Sequence, residues 1–352
     1  MIVISALIGS GHGVIALKES AVKKGFDYKI LIKLLISVFI NLGFISLLLL
    51  ITNMYFSFLN THLMYGLVSY SLSAFLIEVI RSKTSGNMYI FLKDVTRSVS
   101  LLLLVFFIPS RSNVYLINLS SAIVLCCIII YLIILLFKYG IEKNDINFSI
   151  KDLYFKGWSI ALGISSQFLK IRLDIFLAGI FFNKTIVGMY DVLMKLGQLI
   201  NLPGVALNAD IAKQFASSIR LNQYSENLRK RIKTTKFLGY VFSVVCILLI
   251  PFYLKFYDYD INFQNVSLAI IILLANTVSC YFGPIGLFAQ LSTLKNYFLK
   301  IITLFILISA LLSYLLVPYM GLFSLAISNF ITAIIWNYFI HKKIQKTYHF
   351  SI

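Results

Sequence analysis

Eleven apolar runs, most of them close to the length that crosses a bilayer, dominate this chain: 2–17, 30–51, 61–80, 94–110, 114–137, 157–182, 185–209, 234–254, 264–288, 298–317 and 321–340. A hydrocarbon core of about 30 Å takes roughly 20 residues of helix. In lipid each backbone N–H and C=O must be satisfied inside its own segment, so runs of this kind form helices. They use most of the 352 residues, and the longest connector, 210–233, is too short for a soluble domain. The pattern predicts an all-α integral membrane protein. Only 12% of the residues are charged and mean hydropathy is +0.91, against about 25% charged in soluble domains. A water-soluble globular enzyme is excluded.

The formal charge of +18 rests on 31 Lys and Arg against 13 Asp and Glu. In a soluble chain such an excess would suggest nucleic acid. Here it sorts by loop. Alternate connectors and the C-terminus carry 25 of the 31 bases, among them Lys18, Lys23, Lys24, Arg81, Lys83, Lys138, Arg229, Lys230, Arg231 and Lys342. The intervening connectors carry Arg111, Lys184 and Lys255 only. Basic residues concentrate on the cytoplasmic side of membrane proteins, so the C-terminus and basic loops are expected in the cytoplasm. The charge is topology, and no nucleic-acid partner is expected.

That orientation puts the N-terminus outside, on a first run that is short and lacks a basic leader. An internal comparison gives a reason. Residues 13–51 run Gly-Val-Ile-Ala-Leu, a basic amphipathic stretch and a long apolar helix; residues 204–250 begin Gly-Val-Ala-Leu-Asn and continue in the same way. A span at 157–182 precedes the second unit and nothing comparable precedes the first, so one span is expected to be missing from a six-plus-six design. Chance likeness of two helices flanking a basic loop is the competing reading.

Several chemistries are absent. Cys126, Cys127, Cys246 and Cys280 all lie in apolar runs without C-x-x-C spacing and read as small core residues. His12, His62, His341 and His349 are scattered, and no H-E-x-x-H or His/Cys cluster appears, so no metal site is expected. Gly179 to Thr185 is only a loose likeness of a P-loop and lacks its second glycine. No ATPase motor and no enzyme is expected.

The informative residues are charges inside spans. A charge at mid-bilayer costs about 2.5–3.5 kcal/mol on insertion scales and usually meets a partner or a wet cavity. Lys170, Arg172 and Asp174 lie in one run, and Asp191 and Lys195 in the next. Lys170 and Asp174 are four apart and share a helix face, as do Asp191 and Lys195. Gly163, Ser166 and Gln167 extend the first stripe into a polar face. Arg172 points away from it and has no partner on its own helix, so either the helix is locally distorted there or Arg172 meets another helix or an anionic ligand. Two readings stand: the pairs neutralise each other for insertion while Arg172 snorkels outward, or the cluster lines a cavity. In the second, Arg172, Lys170 and Lys195 receive an anionic headgroup, Gln167 and Ser166 form its polar wall, and Asp174 or Asp191 couples to a proton or sodium ion. Arginine suits a phosphate because its planar fork offers two parallel donors. Glu78 and Asp94, beside Arg81 and Arg97 at span ends, read as interfacial salt bridges. Pro203, Gly204 and Pro284, the last between Gly283 and Gly286, are candidate hinges.

From 157 to 216 the order Trp158-Ser-Ile-Ala-Leu-Gly, Arg172-Leu-Asp174, Gly188-Met-Tyr190, Lys195-Leu and Leu202-Pro203 resembles polysaccharide or O-antigen flippases of the multidrug/oligosaccharidyl-lipid/polysaccharide exporter superfamily. Gly283-Pro284 and Val317-Pro-Tyr-Met-Gly321 extend the likeness. It implies about eleven helices in two lobes around a central cavity, an N-terminal lobe at 1–145 with about five spans and a C-terminal lobe at 146–352 with six. It implies alternating-access movement of an undecaprenyl-diphosphate-linked oligosaccharide across the bacterial inner membrane for O-antigen or capsular polysaccharide. It also implies contact with membrane lipids and with a polysaccharide polymerase as partner, and no cofactor. Two alternatives remain: a drug or metabolite cation antiporter of the same superfamily, which favours a cavity dominated by acids, and a membrane polysaccharide polymerase, which favours a large charged outer loop.

Overall fold

The computed structural model describes residues 6–20, 26–56, 61–84, 88–89, 91–108, 113–142, 149–221 and 225–348. Helices account for nearly all of them. A π turn, Ala6–Ser10, leads into α1 (Gly11–Ser20), followed by α2 (Tyr28–Phe56), α3 (Thr61–Arg81), a second π turn Phe91–Val95, α4 (Thr96–Phe107) and α5 (Asn113–Tyr139). Then come α6 (Ile150–Phe181), α7 (Lys184–Leu199), α8 (Leu202–Leu221), α9 (Glu226–Phe256), α10 (Phe263–Phe282), α11 (Ile285–Leu291), α12 (Lys295–Met320) and α13 (Phe323–Tyr348). The only strands among the described residues are Phe26–Asp27 and Ile141–Glu142, paired in parallel.

Within the described residues each expected run falls on helix, and two of the runs are divided between two helices. Among the described residues, six helices meet the length and hydropathy of a membrane span: α2, α5, α9, α10, α12 and α13. Three of the others fall short for readable reasons. The 32-residue α6 carries Lys170, Arg172 and Asp174 mid-length, while α4 has 12 residues and α7 has 16. The run 185–209 is two helices rather than one, because the chain turns at Ile200–Asn201. Pro203 therefore sits in the first turn of α8, where its missing N–H costs nothing. The run 264–288 is likewise split: Gly283 adopts φ +74°, a conformation glycine reaches without Cβ strain, and Pro284 follows it at the start of α11.

The chain divides into two compact units, Met1–Ser165 with Ala212–Leu221 and Ser166–Ile211 with Asn222–Ile352. In the first, α1 packs on α3, and α3 and α4 pack on α5. The close approach of α1 follows from Gly9, Gly11 and Gly13. Residues four apart share a helix face, and the structure uses both faces. A Cβ at Gly9 would stand 2.2 Å from the Ser71 carbonyl oxygen, while one at Gly11 would stand 2.3 Å from the Gly157 carbonyl oxygen and 2.4 Å from the Ala161 nitrogen. Small residues allow membrane helices this proximity, since dispersion replaces the hydrophobic drive there. The buried His12 ring fills the notch left by Gly157. Gly11→Val is expected to destabilise the protein by about 1–3 kcal/mol through overpacking against backbone that cannot yield. Gly43→Val, where a Cβ meets nothing within 4 Å, serves as the control, with detergent-resistant folded fraction as the measurement; equal losses would sink the explanation.

At the end of α3, Glu78 holds Arg81 at 2.9 Å and accepts from the Tyr89 hydroxyl at 3.1 Å, the salt bridge expected of these two residues. The Asp94 side chain, by contrast, lies outside the described residues. In the second unit, α10 packs against α7, α9 and α13, and α12 packs on α13. Its core gathers Leu173, Leu177, Tyr190, Leu193, Ile250, Leu268, Ile272 and Leu325. Hydroxyls in these apolar helices return their hydrogen bonds to the preceding turn, as Thr235 does to the Arg231 carbonyl at 2.9 Å and Thr277 to Leu273 at 2.8 Å, so they add little cost.

Candidate functional site

Successive residues on α6 turn by about 100°, and this sorts the intramembrane charges into an inner and an outer group. Lys170 and Asp174 point inward and are buried, at 6% and 2% exposure. They are joined through a third residue. The Lys170 ammonium donates to Asn329 Oδ1 at 3.1 Å, and Asn329 Nδ2 donates to Asp174 Oδ2 at 2.7 Å. The fully buried Tyr190 hydroxyl donates to the same carboxylate oxygen at 3.3 Å. The orientation of the Asn329 amide is dictated by its neighbours, since the reverse would set its NH2 against an ammonium and its oxygen against a carboxylate. Four side chains thus tie α6, α7 and α13 together around one acid.

Along α13, Ser324, Ser328, Asn329, Thr332 and Asn337 form a polar stripe; Ser328 exchanges a hydrogen bond with Ser313 at 2.7 Å and donates to the Ser324 carbonyl, and Asn337 donates to Ala333 at 2.7 Å. On α6, Gln167 accepts from Gln290 of α11 at 3.0 Å. The Gly283–Pro284 break is what sets α11 at that place. Ser166 is half-buried on the same helix.

Arg172 faces the other way. Its guanidinium lies 3.6 Å from Asp191 on α7, and Lys195 lies 2.7 Å from the second oxygen of the same carboxylate. The three side chains are 48%, 30% and 55% exposed in the order Arg172, Asp191, Lys195. The expected Asp191–Lys195 pair is present, and the unpartnered Arg172 has found a neighbouring helix. The α6–α7 corner is fixed by Asn183, whose side chain accepts from the Ile186 N–H at 3.0 Å and caps α7. Next to the corner is a pocket of about 600 Å³ lined by Arg172, Lys184, Asp191, Phe176, Phe182 and Gly179 among others. Lys170 is not part of it. The five charges form two sites, one sealed and one open.

The chain turn before Pro203 and Gly204 has its own polar support. Asn201 donates to Asn276 at 2.9 Å, Asn276 donates to the Ile272 carbonyl at 2.9 Å, and the Cys280 thiol approaches the Ile200 carbonyl at 3.6 Å. The Ile200 carbonyl at the break is thereby met from α10, as backbone in lipid requires. No group of His, Cys, Asp and Glu suited to a metal is found among the described residues.

Reading the sequence missed Asn329, Tyr190 and Asn276 as partners and Lys184 as a pocket residue. Asn329 lies 155 positions from Asp174; its only sequence signal is the run of polar residues at helical spacing on an apolar helix.

No family model matches the chain, and no curated protein matches it in sequence. Solved structures do match in fold. A MATE transporter in complex with MaD5 gives a TM-score of 0.75 at 14% identity over 98% of this chain and 85% of its own. The outward-facing conformation of a multidrug resistance MATE family transporter of the MOP superfamily gives 0.72 at 15% identity, with the same coverage. A variant of the MATE transporter VcmN from Vibrio cholerae gives 0.68 at 15% identity over 99% and 86% of the two chains. At such low identity with nearly complete coverage, the shared property is architecture. The chain has the all-α membrane fold of MATE transporters of the MOP superfamily.

Proposed function

We propose that this protein is a flippase that carries a diphosphate-linked oligosaccharide lipid from the cytoplasmic to the outer leaflet of a bacterial inner membrane. The observation that supports this most is the open pocket where Arg172 and Lys184 stand beside Phe176 and Phe182. A forked cation beside a point cation suits a diphosphate, and the aromatic wall suits the lipid adjoining it. The cargo keeps its covalent structure, so no catalytic residue is needed; alternating access supplies the movement. Of the two acids offered for proton or sodium coupling, Asp191 borders the open pocket, whereas Asp174 is sealed and already accepts two hydrogen bonds. The asymmetry of basic connectors places them, with the C-terminus, in the cytoplasm. A polysaccharide polymerase on the opposite face would consume the delivered units.

The multidrug transporters that share the fold favour a second reading, export of an organic cation. Proteoliposomes separate the two. A lipid-linked oligosaccharide loaded in one leaflet should become accessible to an impermeant glycosidase from the other only when the protein is present. Accumulation of ethidium driven by a proton or sodium gradient, with no movement of the lipid, would favour the antiporter and reject the flippase.

A further inference from the structure

Asp191 is an odd residue to find in a pocket meant for an anion. It sits where cargo phosphate would sit, with one oxygen 2.7 Å from Lys195 and the other 3.6 Å from Arg172. The Lys195 contact is a full charge-assisted hydrogen bond, while the Arg172 contact is too long to be one. Arg172 is therefore loosely occupied: its charge is balanced, but its fork remains unengaged.

We propose that Asp191 is a specificity filter, a tethered anion that keeps ordinary phospholipid headgroups off Arg172 and yields only to a ligand carrying more than one phosphate charge. This rests on the flippase reading of the same pocket. A site of bare cations facing a bilayer would be filled by bulk anionic lipids such as phosphatidylglycerol, whose headgroup carries a single phosphodiester charge. Against Asp191 such a headgroup gains little. It brings the same one charge as the carboxylate it displaces, and it competes with a group held on the protein at an effective concentration in the millimolar range. A diphosphate brings about two charges and enough oxygens to engage the Arg172 fork and Lys184 together, so it can displace the carboxylate with a net gain. After displacement Asp191 keeps Lys195, so it is never left uncompensated. Arg172, Lys184 and Lys195 against Asp191 leave two positive charges, which matches a diphosphate and not a phosphodiester.

The test uses the whole protein in detergent, with native mass spectrometry reading the occupancy of two probes, undecaprenyl diphosphate and dioleoylphosphatidylglycerol. The wild type is expected to prefer the diphosphate. Asp191→Asn should raise phosphatidylglycerol occupancy by about two- to fivefold, as expected for losing one partly exposed ionic competitor, and so narrow the preference. Asp191→Ser should do the same, covering the case in which the amide variant folds poorly. Asp191→Glu, which keeps the tethered charge, should retain the wild-type ratio. An unchanged ratio in both neutral variants, with binding still dependent on Arg172, overturns the filter and leaves the cargo reading standing. If diphosphate binding is indifferent to Arg172→Gln, the cargo reading falls and the filter falls with it.

Discussion

Asp174→Leu is expected to destabilise the second unit by about 3–5 kcal/mol, the cost of leaving one half of a buried charge pair unanswered. The reason lies in the Lys170–Asn329–Asp174 chain, with spacings of 3.1 and 2.7 Å and no water-exposed end. Removing the acid strands an ammonium in the interior, deprives the Asn329 amide of its acceptor and leaves the Tyr190 hydroxyl without its carboxylate. Asp174→Asn should cost less, because it offers an oxygen to the same donors. The double variant Lys170→Met with Asp174→Leu should recover most of the loss, since a well-packed apolar pair often replaces a buried ionic pair at little or no cost. Unfolding in mixed micelles measures all three. A double variant worse than the sum of its parts would show that the network holds more than charge compensation. A single variant with an unchanged midpoint would show that Lys170 is not left stranded.

Arg172→Ala should have the opposite signature, a loss of function without loss of fold. Its ion pair is long and half-exposed, so removing it costs at most about 1 kcal/mol of stability. A charge-assisted hydrogen bond to cargo is worth about 1.5–3 kcal/mol, so binding of a diphosphate lipid should weaken by roughly ten- to a hundredfold. In cells that depend on this protein, surface polysaccharide should fall to the background level while the amount of membrane-inserted protein stays normal. Arg172→Lys should restore it only in part, because an ammonium lacks the planar fork that takes two phosphate oxygens at once. Full polymer output from the alanine variant would remove Arg172 from the mechanism.

The contrast between these two residues, separated by one turn of a helix at most, is where sequence and structure part. Spacing alone put Lys170 and Asp174 on one face of α6 and Arg172 on another, and α6 bears that out. Spacing could not say which face is inside. The reading that gathered Lys170, Arg172 and Lys195 as cations of one cavity joined residues that the second unit keeps apart, one sealed under Asn329 and two beside Asp191. Asn329 itself was unreadable as a partner, because a polar stripe on an apolar helix does not say what it meets until the helix opposite it is known. Gly9 and Gly11 show the same limit: only packing names Ser71 and Gly157 as the backbone they approach.

What the sequence determined by itself was the class and position of the helices, because in lipid the backbone has no other way to satisfy its hydrogen bonds and that requirement is local. The breaks at Ile200–Asn201 and Gly283–Pro284 were half-visible for the same reason, through residues that cannot continue a helix or that tolerate a positive φ. Which charges are buried, what stands opposite each of them and where a pocket remains open were decided by tertiary structure. Those are properties of pairs of helices far apart in the chain, and the energy of an ion in lipid depends on its partner rather than on its own position.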